Sequence, residues 1–304
     1  WVVFFTAISL LLILGCLRLG FSNDYRVFFG PENPQLKAFD AMQKIYTQND
    51  NVLFVVAPKN GDVFSASSLA ALYELNQASS NLPYALRVDS LINFQHSYAL
   101  PDGLYTEDLF GDPSALSTEQ VARKKQIALA EPLLVKRLID PAGTHTGVNI
   151  TFQLPDGEQG VLDPRCDTYL DSKQTTWIKT AHQWFGTNAP HHGSDGTIRC
   201  AAEFARDLAI QIGQRHPDVK IYSTGGILLS YSFPEATLND LSSLAPLCYL
   251  ATFLVLFLST RSVAATLVTL VVIALSSLSA LGVAGWMGYT LAPTSAMAPI
   301  MVTT

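Results

Sequence analysis

Charged residues are almost absent from both ends of this chain of 304 residues. Arg261 is the only charged residue among positions 241–304, and residues 1–17 contain none. All 25 acidic residues lie within positions 24–240. Since charged side chains are costly inside a bilayer, this segregation predicts an α+β membrane protein in which a large water-exposed domain lies between membrane segments.

Two uncharged segments near the C-terminal end have the length of membrane-spanning helices. Residues 241–260 and 262–285 each supply the roughly 20 residues that cross a bilayer, and residues 291–304 predict the start of a further helix. A short turn containing Arg261 joins the first two segments. Basic residues favour cytoplasmic turns, so residues 21–240 are predicted to be extracytoplasmic.

The apolar stretch at the start, residues 1–20, predicts a first transmembrane helix. Because residues 1–17 are slightly short of a full span and the chain stops within an apolar stretch, a piece of a longer protein is expected. The stretch Ile13-Leu14-Gly15-Cys16 also resembles a lipoprotein signal, and a cleaved secretory signal is equally apolar. A retained helix is the simpler account, since no small-x-small cleavage site precedes the soluble region.

The region between the membrane segments is acidic. Residues 21–240 hold all 25 Asp and Glu residues but only 17 of the 19 Lys and Arg residues. This balance argues against nucleic acid as a partner, because DNA and RNA are polyanions.

The hydrophobic pattern of residues 21–240 predicts a mixed domain. Strands are predicted at 51–57, 84–94, 144–154 and 219–223, and helices at 36–46, 65–82, 118–139 with a break near Pro132, and 201–215, with 166–182 partly helical. Residues 95–117 and 186–196 are polar and are predicted to be loops, the first an insert. The resulting order β, α, β, insert, β, α, β predicts a ferredoxin-like βαββαβ domain.

Five short segments follow one another in a recognisable order. They are Asn23-Asp24-Tyr25-Arg26-Val27-Phe28-Phe29 with Asn33-Pro34, Gly61-Asp62-Val63-Phe64, Val88-Asp89-Ser90-Leu91 with Asn93, Glu131-Pro132-Leu133-Leu134, and Phe257-Leu258-Ser259-Thr260-Arg261-Ser262. With the predicted membrane helices and the βαββαβ domain, they resemble the RND superfamily, in the branch of hydrophobe exporters close to MMPL-like and Patched-like proteins.

The resemblance implies a transporter. It implies export of lipidic or other hydrophobic compounds across a bacterial inner membrane, driven by the proton gradient, by a homo-oligomer that also has a periplasmic partner. It implies no cofactor and no enzymatic activity. No Asp or Glu follows Asp240, so proton coupling is assigned to no residue of this sequence.

Several Cys, His and Asp residues of the soluble region are candidate ligands. Cys166 and Cys200 are candidates for a disulfide if the domain is extracytoplasmic, but the sequence leaves their pairing open. The wider set Cys166, His182, His191, His192, Asp195 and Cys200 matches no compact zinc spacing. Hydrolase and phosphate-binding motifs are also missing from the sequence.

Two other functions remain compatible with this sequence. A sterol-sensing, receptor-like or protein-export accessory protein would have the same architecture, whereas a tethered metalloenzyme would require zinc. Intramembrane acids would favour the transporter, because charge inside a bilayer is usually functional.

Overall fold

The computed structural model describes residues 2–18, 20–21, 32–45, 50–155, 163–173 and 194–291. The chain divides into two compact units, one formed by residues 38–229 and the other by residues 1–37 with 230–304. The predicted boundaries at 20/21 and 240/241 stay predictions.

Helices and strands alternate along most of the chain. In chain order they are α1 Val2–Ile13, β1 Gly20–Phe21, α2 Pro34–Ile45, β2 Asn51–Pro58, α3 Ala66–Ser79, β3 Ala85–Ser90, β4 Gln95–Leu100, β5 Gly103–Asp108, α4 Thr118–Ala130, β6 Thr146–Phe152, α5 Pro164–Lys173, α6 Ser194–Arg215, β7 Val219–Thr224, α7 Gly226–Thr260, α8 Val263–Trp286 and β8 Thr290–Leu291. Short 3₁₀ helices occupy Leu14–Arg18 and Pro113–Ala115.

Unit 38–229 is built on a four-stranded sheet in the order β3-β6-β2-β7, with every neighbouring pair antiparallel. Alternate residues of β2, namely Val52, Phe54 and Val56, are fully buried beneath the helices. Helix α3 packs over β3 and β6, and α6 packs over β7 and β2. Burying each large apolar side chain stabilises the fold by about 1.5–3 kcal/mol, so this helix-covered face forms the core.

The polar insert is more ordered than predicted. Residues 95–108 form the hairpin β4–β5, in which Tyr98 lies opposite Tyr105 with ring centroids 6.1 Å apart. The loop prediction for 95–117 is therefore wrong over these residues. The reason is that β5 is exposed along its whole length, and a strand without a buried face lacks the apolar alternation that marks strands.

Several element ends differ from the predicted ones. Helix α4 ends at Ala130, beside the break predicted at Pro132, and the predicted continuation to residue 139 is not helical. Strand β3 ends at Ser90, where the Asn93 side chain accepts the Ser90 backbone N–H and donates to the Val88 carbonyl. Helix α6 begins at Ser194, so the last three residues of the predicted loop 186–196 are helical, and 186–193 lie outside the described residues.

The second unit contains the apolar helices. Helix α7 begins at Gly226, well before the uncharged segment that starts at residue 241. Leu291, predicted to begin a fourth helix, lies in β8, which pairs in parallel with β1. Residues 292–304 lie outside the described part of the chain.

The turn between β7 and α7 requires a glycine. Gly225 has φ +122°, and a Cβ there would lie 2.9 Å from the Val52 Cα and overlap the Asn51 carbonyl oxygen. We expect Gly225→Ala to lower the free energy of unfolding by about 2 kcal/mol, since an L side chain strains this conformation and the backbone must move. Calorimetric unfolding of the detergent-solubilised protein measures the loss.

Gly103 supplies the control for this substitution. It has open space around its Cα, so Gly103→Ala should leave the unfolding temperature nearly unchanged. Equal unfolding temperatures for both variants would contradict the steric argument at Gly225.

Candidate functional site

Cys166 on α5 and Cys200 on α6 lie together. The structure places their sulfur atoms in bonding contact, with Cα atoms 5.6 Å apart, and both side chains are fully buried. Tyr169 and Phe204 stack beside them with ring centroids 4.1 Å apart. That the pair is oxidised in the protein stays a prediction.

The structure does not describe the side chains of the other candidate metal ligands. His182, His191 and His192 lie outside the described residues, as does the side chain of Asp195. Within the described ranges, no group of three His, Cys, Asp or Glu residues is arranged to hold a metal ion.

Arg261 lies in the turn that joins α7 to α8, where the sequence predicted a hairpin turn. Its φ is +50°, and its backbone N–H donates to the Phe257 carbonyl at 2.8 Å. Ser262 caps α8, because its hydroxyl accepts the Ala265 backbone N–H at 3.4 Å. The cytoplasmic location of this turn stays a prediction.

Helix α1 and the following 3₁₀ turn pack closely against α8. A Cβ at Gly15 would overlap the Gly282 carbonyl oxygen, and a Cβ at Gly282 would lie 2.7 Å from the Leu12 carbonyl carbon. The guanidinium of Arg18 lies 4.4 Å from the centroid of the Trp286 ring. Small residues permit this backbone approach, as in helix pairs within membranes.

Helix α8 differs from the core helix of a soluble protein. It is the one helix of the described residues that is long and apolar enough to span a membrane. Only 6% of its most apolar 18-residue stretch is buried. Two shorter apolar helical stretches are Thr6–Arg18, which runs from α1 into the 3₁₀ helix, and Pro246–Thr260, which is the last part of α7. A long apolar helix with so little burial suits a lipid environment.

The face of the sheet opposite the helices carries a cleft of about 680 Å³, here called the open-face cleft. Strand register aligns Asp89, Asn149 and Leu53 in one row across β3, β6 and β2. The turn after α4 reaches over this face: a Cβ at Gly147 would lie 3.0 Å from Leu53 Cδ1 and 3.6 Å from Leu138 Cδ2. The remaining lining residues are Arg87, Ser90, Asn93, Phe94, Gln95, Leu133 and Arg137.

A second cavity, of about 570 Å³, follows one side of α3. At its edge Glu74 lies 2.7 Å from Nε2 of His216 and is also bonded to the Arg215 guanidinium. The hydrogen bond from His216, together with Arg215, lowers the pKa of Glu74 despite partial desolvation. These contacts tie the end of α6 to α3.

This cluster predicts a pH-dependent contribution to stability. Because the pKa of Glu74 is lower in the folded protein than in the unfolded chain, its contribution is complete above the ordinary carboxyl pKa and is lost as pH falls through the folded-state value. We expect Glu74→Gln to lower the free energy of unfolding by about 1 kcal/mol near neutral pH and by less in acid, since the group is partly exposed. Unfolding temperatures compared at about pH 7 and pH 3 measure this.

Asp218 provides the matched control for Glu74. It is an exposed carboxylate two residues after His216, and no ion pair with it occurs among the residues that the structure describes. Asp218→Asn should have little effect at either pH, and an equal response of both variants would refute the assignment to Glu74.

A sequence model of the MMPL family matches residues 189–304, which include α6, β7, α7 and α8. Residues 189–304 are therefore similar to the MMPL family, whose members are RND-type transporters. No curated protein sequence matches the chain.

Members of the MMPL family are membrane transporters, so the match supports a membrane location and an RND-like transport function for this chain. The matched region contains the Arg261 turn and the apolar helix α8. The predicted resemblance to RND proteins is therefore confirmed.

No sequence motif marks the residues of the open-face cleft as a site. Arg87 and Arg137 are fifty positions apart, and only the sheet register and the turn after α4 bring them to one cleft. The sequence gives a partial indication of the cleft, since Asp89, Asn93 and Leu133 belong to the short segments that resemble RND proteins.

Proposed function

We propose that this MMPL-like protein exports lipidic or other hydrophobic and amphiphilic compounds across a bacterial inner membrane, driven by the proton gradient. The observation that carries the proposal is the family match over residues 189–304, which covers the helices on both sides of Arg261. An apolar helix of 24 residues with little burial supports a membrane location.

The architecture proposed for unit 38–229 is a ferredoxin-like, extracytoplasmic porter domain. The strand order β3-β6-β2-β7 supports it, with two helices on one face and each helix joining strands that are not neighbours. In a multi-pass protein with this domain outside the cytoplasm, the domain would receive substrate from the outer side of the membrane. Assembly as a homo-oligomer and contact with a periplasmic partner are part of the same proposal.

Transport by the full chain in membrane vesicles tests the function. Inside-out vesicles that contain the protein should accumulate a fluorescent lipid analogue when the membrane is energised, and an uncoupler should abolish the accumulation. Vesicles from cells that lack the protein provide the baseline.

The outcomes separate the possible functions. Accumulation that persists in the presence of the uncoupler would overturn proton coupling. Binding of the lipid analogue without any accumulation would overturn export and would favour a sensor or receptor-like protein.

A further inference from the structure

We propose that the open-face cleft binds the headgroup of an amphiphile that carries an anionic phosphate or carboxylate. The proposal rests on the proposed function only for the fate of the ligand after binding. It rests on three features of the cleft itself: an arginine that has no acidic partner among the described residues, an asparagine amide nitrogen to which the described part of the chain offers no acceptor, and an apolar wall.

The charges of the cleft favour an anion. Asp89 is the acid that lines the cleft, and it is bonded to Arg87, whose Nε lies 2.9 Å and whose nearer terminal nitrogen lies 2.8 Å from Asp89 Oδ2. Arg137 lines the same cleft, and among the described residues no carboxylate forms an ion pair with it. The cleft therefore has a net charge of about +1, and a cationic headgroup would be repelled.

The hydrogen-bonding groups also favour an acceptor-rich headgroup. Asn149 Oδ1 accepts from Asn51 Nδ2 at 2.9 Å, which leaves the amide nitrogen of Asn149 as a donor. Asn93 offers little to a ligand, because its amide oxygen already accepts from Ser90 and its nitrogen donates to the Val88 carbonyl. Arg137 adds the planar fork of donors that matches the oxygens of a phosphate or carboxylate.

The apolar wall explains why the ligand would be an amphiphile and not a free anion. Leu133 is 57% exposed and lines the open cleft together with Phe94 and Leu53. A hydrocarbon segment laid against these side chains would remove their apolar surface from water. The volume of about 680 Å³ falls within the range of small-molecule sites.

Binding of three probes to the full chain in nanodiscs of zwitterionic lipid tests the proposal. Octyl phosphate carries both the anion and the chain, inorganic phosphate carries the anion alone, and octyl glucoside carries the chain alone. Calorimetric titration, with empty nanodiscs subtracted, should show that octyl phosphate binds at least about tenfold more tightly than either of the others. Equal affinity for inorganic phosphate would overturn the amphiphile part, and equal affinity for octyl glucoside would overturn the anion part.

Substitution of Arg137 locates the site. Arg137→Gln should weaken octyl phosphate binding about tenfold or more, because a charge-assisted hydrogen-bonding group is lost, and Arg137→Lys should weaken it less. Lys220→Gln is the matched control: by its pairing with Ala57, Lys220 lies on the same face of the sheet, yet it does not line the cleft. It removes the same charge and should leave the affinity unchanged.

Two results would overturn this inference without touching the proposed function. One is an equal loss of affinity in the Arg137 and Lys220 variants, which would indicate attraction by overall charge alone. The other is a changed oligomeric state of Arg137→Gln with unchanged binding, which would make this face an interface between copies. If the unchanged protein binds octyl phosphate but transports no lipid analogue in vesicles, the result would count against export and would still support the binding site.

Discussion

Replacing Gly282 by leucine is expected to separate α8 from α1. A Cβ at this position would overlap the Leu12 carbonyl oxygen and lie 3.1 Å from the Ile13 Cα, so the two backbones cannot keep their present distance. We expect the packed state to lose about 3 kcal/mol, because a larger side chain at a backbone contact forces the helices apart.

Cross-linking between α1 and α8 measures this separation. The Ser279 hydroxyl lies 3.5 Å from the Ser9 carbonyl oxygen, so α1 and α8 are close there, and a short bifunctional thiol reagent should join cysteines introduced at positions 9 and 279 in the otherwise unchanged protein. The yield should fall several-fold when Gly282→Leu is added. Val283→Leu is the control, since Val283 is 39% exposed and has room for the extra carbon. An undiminished yield in the Gly282 variant would refute the close contact.

The regular part of the fold could be predicted from the sequence. In β2 every second residue, such as Val52 and Phe54, is buried, because only one face of the strand is covered by the helices. A strand with one covered face can be recognised from its sequence. Helix α3 begins one residue after Ser65 and packs its Leu69 and Leu72 into the core, as its helical spacing indicates. Local pattern and tertiary environment agree in these elements, which is why the predictions hold there.

Features that depend on the meeting of distant segments could not be predicted. Gly15 and Gly282 are ordinary apolar-helix residues until the crossing of α1 and α8 brings their backbones together. The open-face cleft likewise depends on the register that places Asp89 opposite Asn149. Neither arrangement leaves a periodic trace in the sequence, because spacing along a chain reports local conformation and not which elements become neighbours.

Loss of the Cys166–Cys200 pair is the second large expected effect. The bond would close a loop between residues 34 positions apart, and in the chain-entropy view such a cross-link stabilises the folded state by roughly 3–4 kcal/mol. Cys200→Ser should therefore lower the unfolding temperature of unit 38–229 by about 10 °C in the calorimeter. Cys166→Ser and the double variant should show the same loss, since each removes the same bond.

The control for the disulfide is Cys248→Ser, because Cys248 is a free thiol in α7. It should leave the transition of unit 38–229 unchanged, and a reducing agent should lower the wild-type transition to the value of Cys200→Ser. Alkylation of cells dissolved directly in SDS adds a second readout, because unfolding makes every thiol accessible: of the 4 cysteines, Cys16 and Cys248 should react at once and Cys166 and Cys200 only after reduction. Immediate reaction of all 4 would refute the disulfide, and it would also count against an extracytoplasmic domain, since cytosolic thiols are kept reduced.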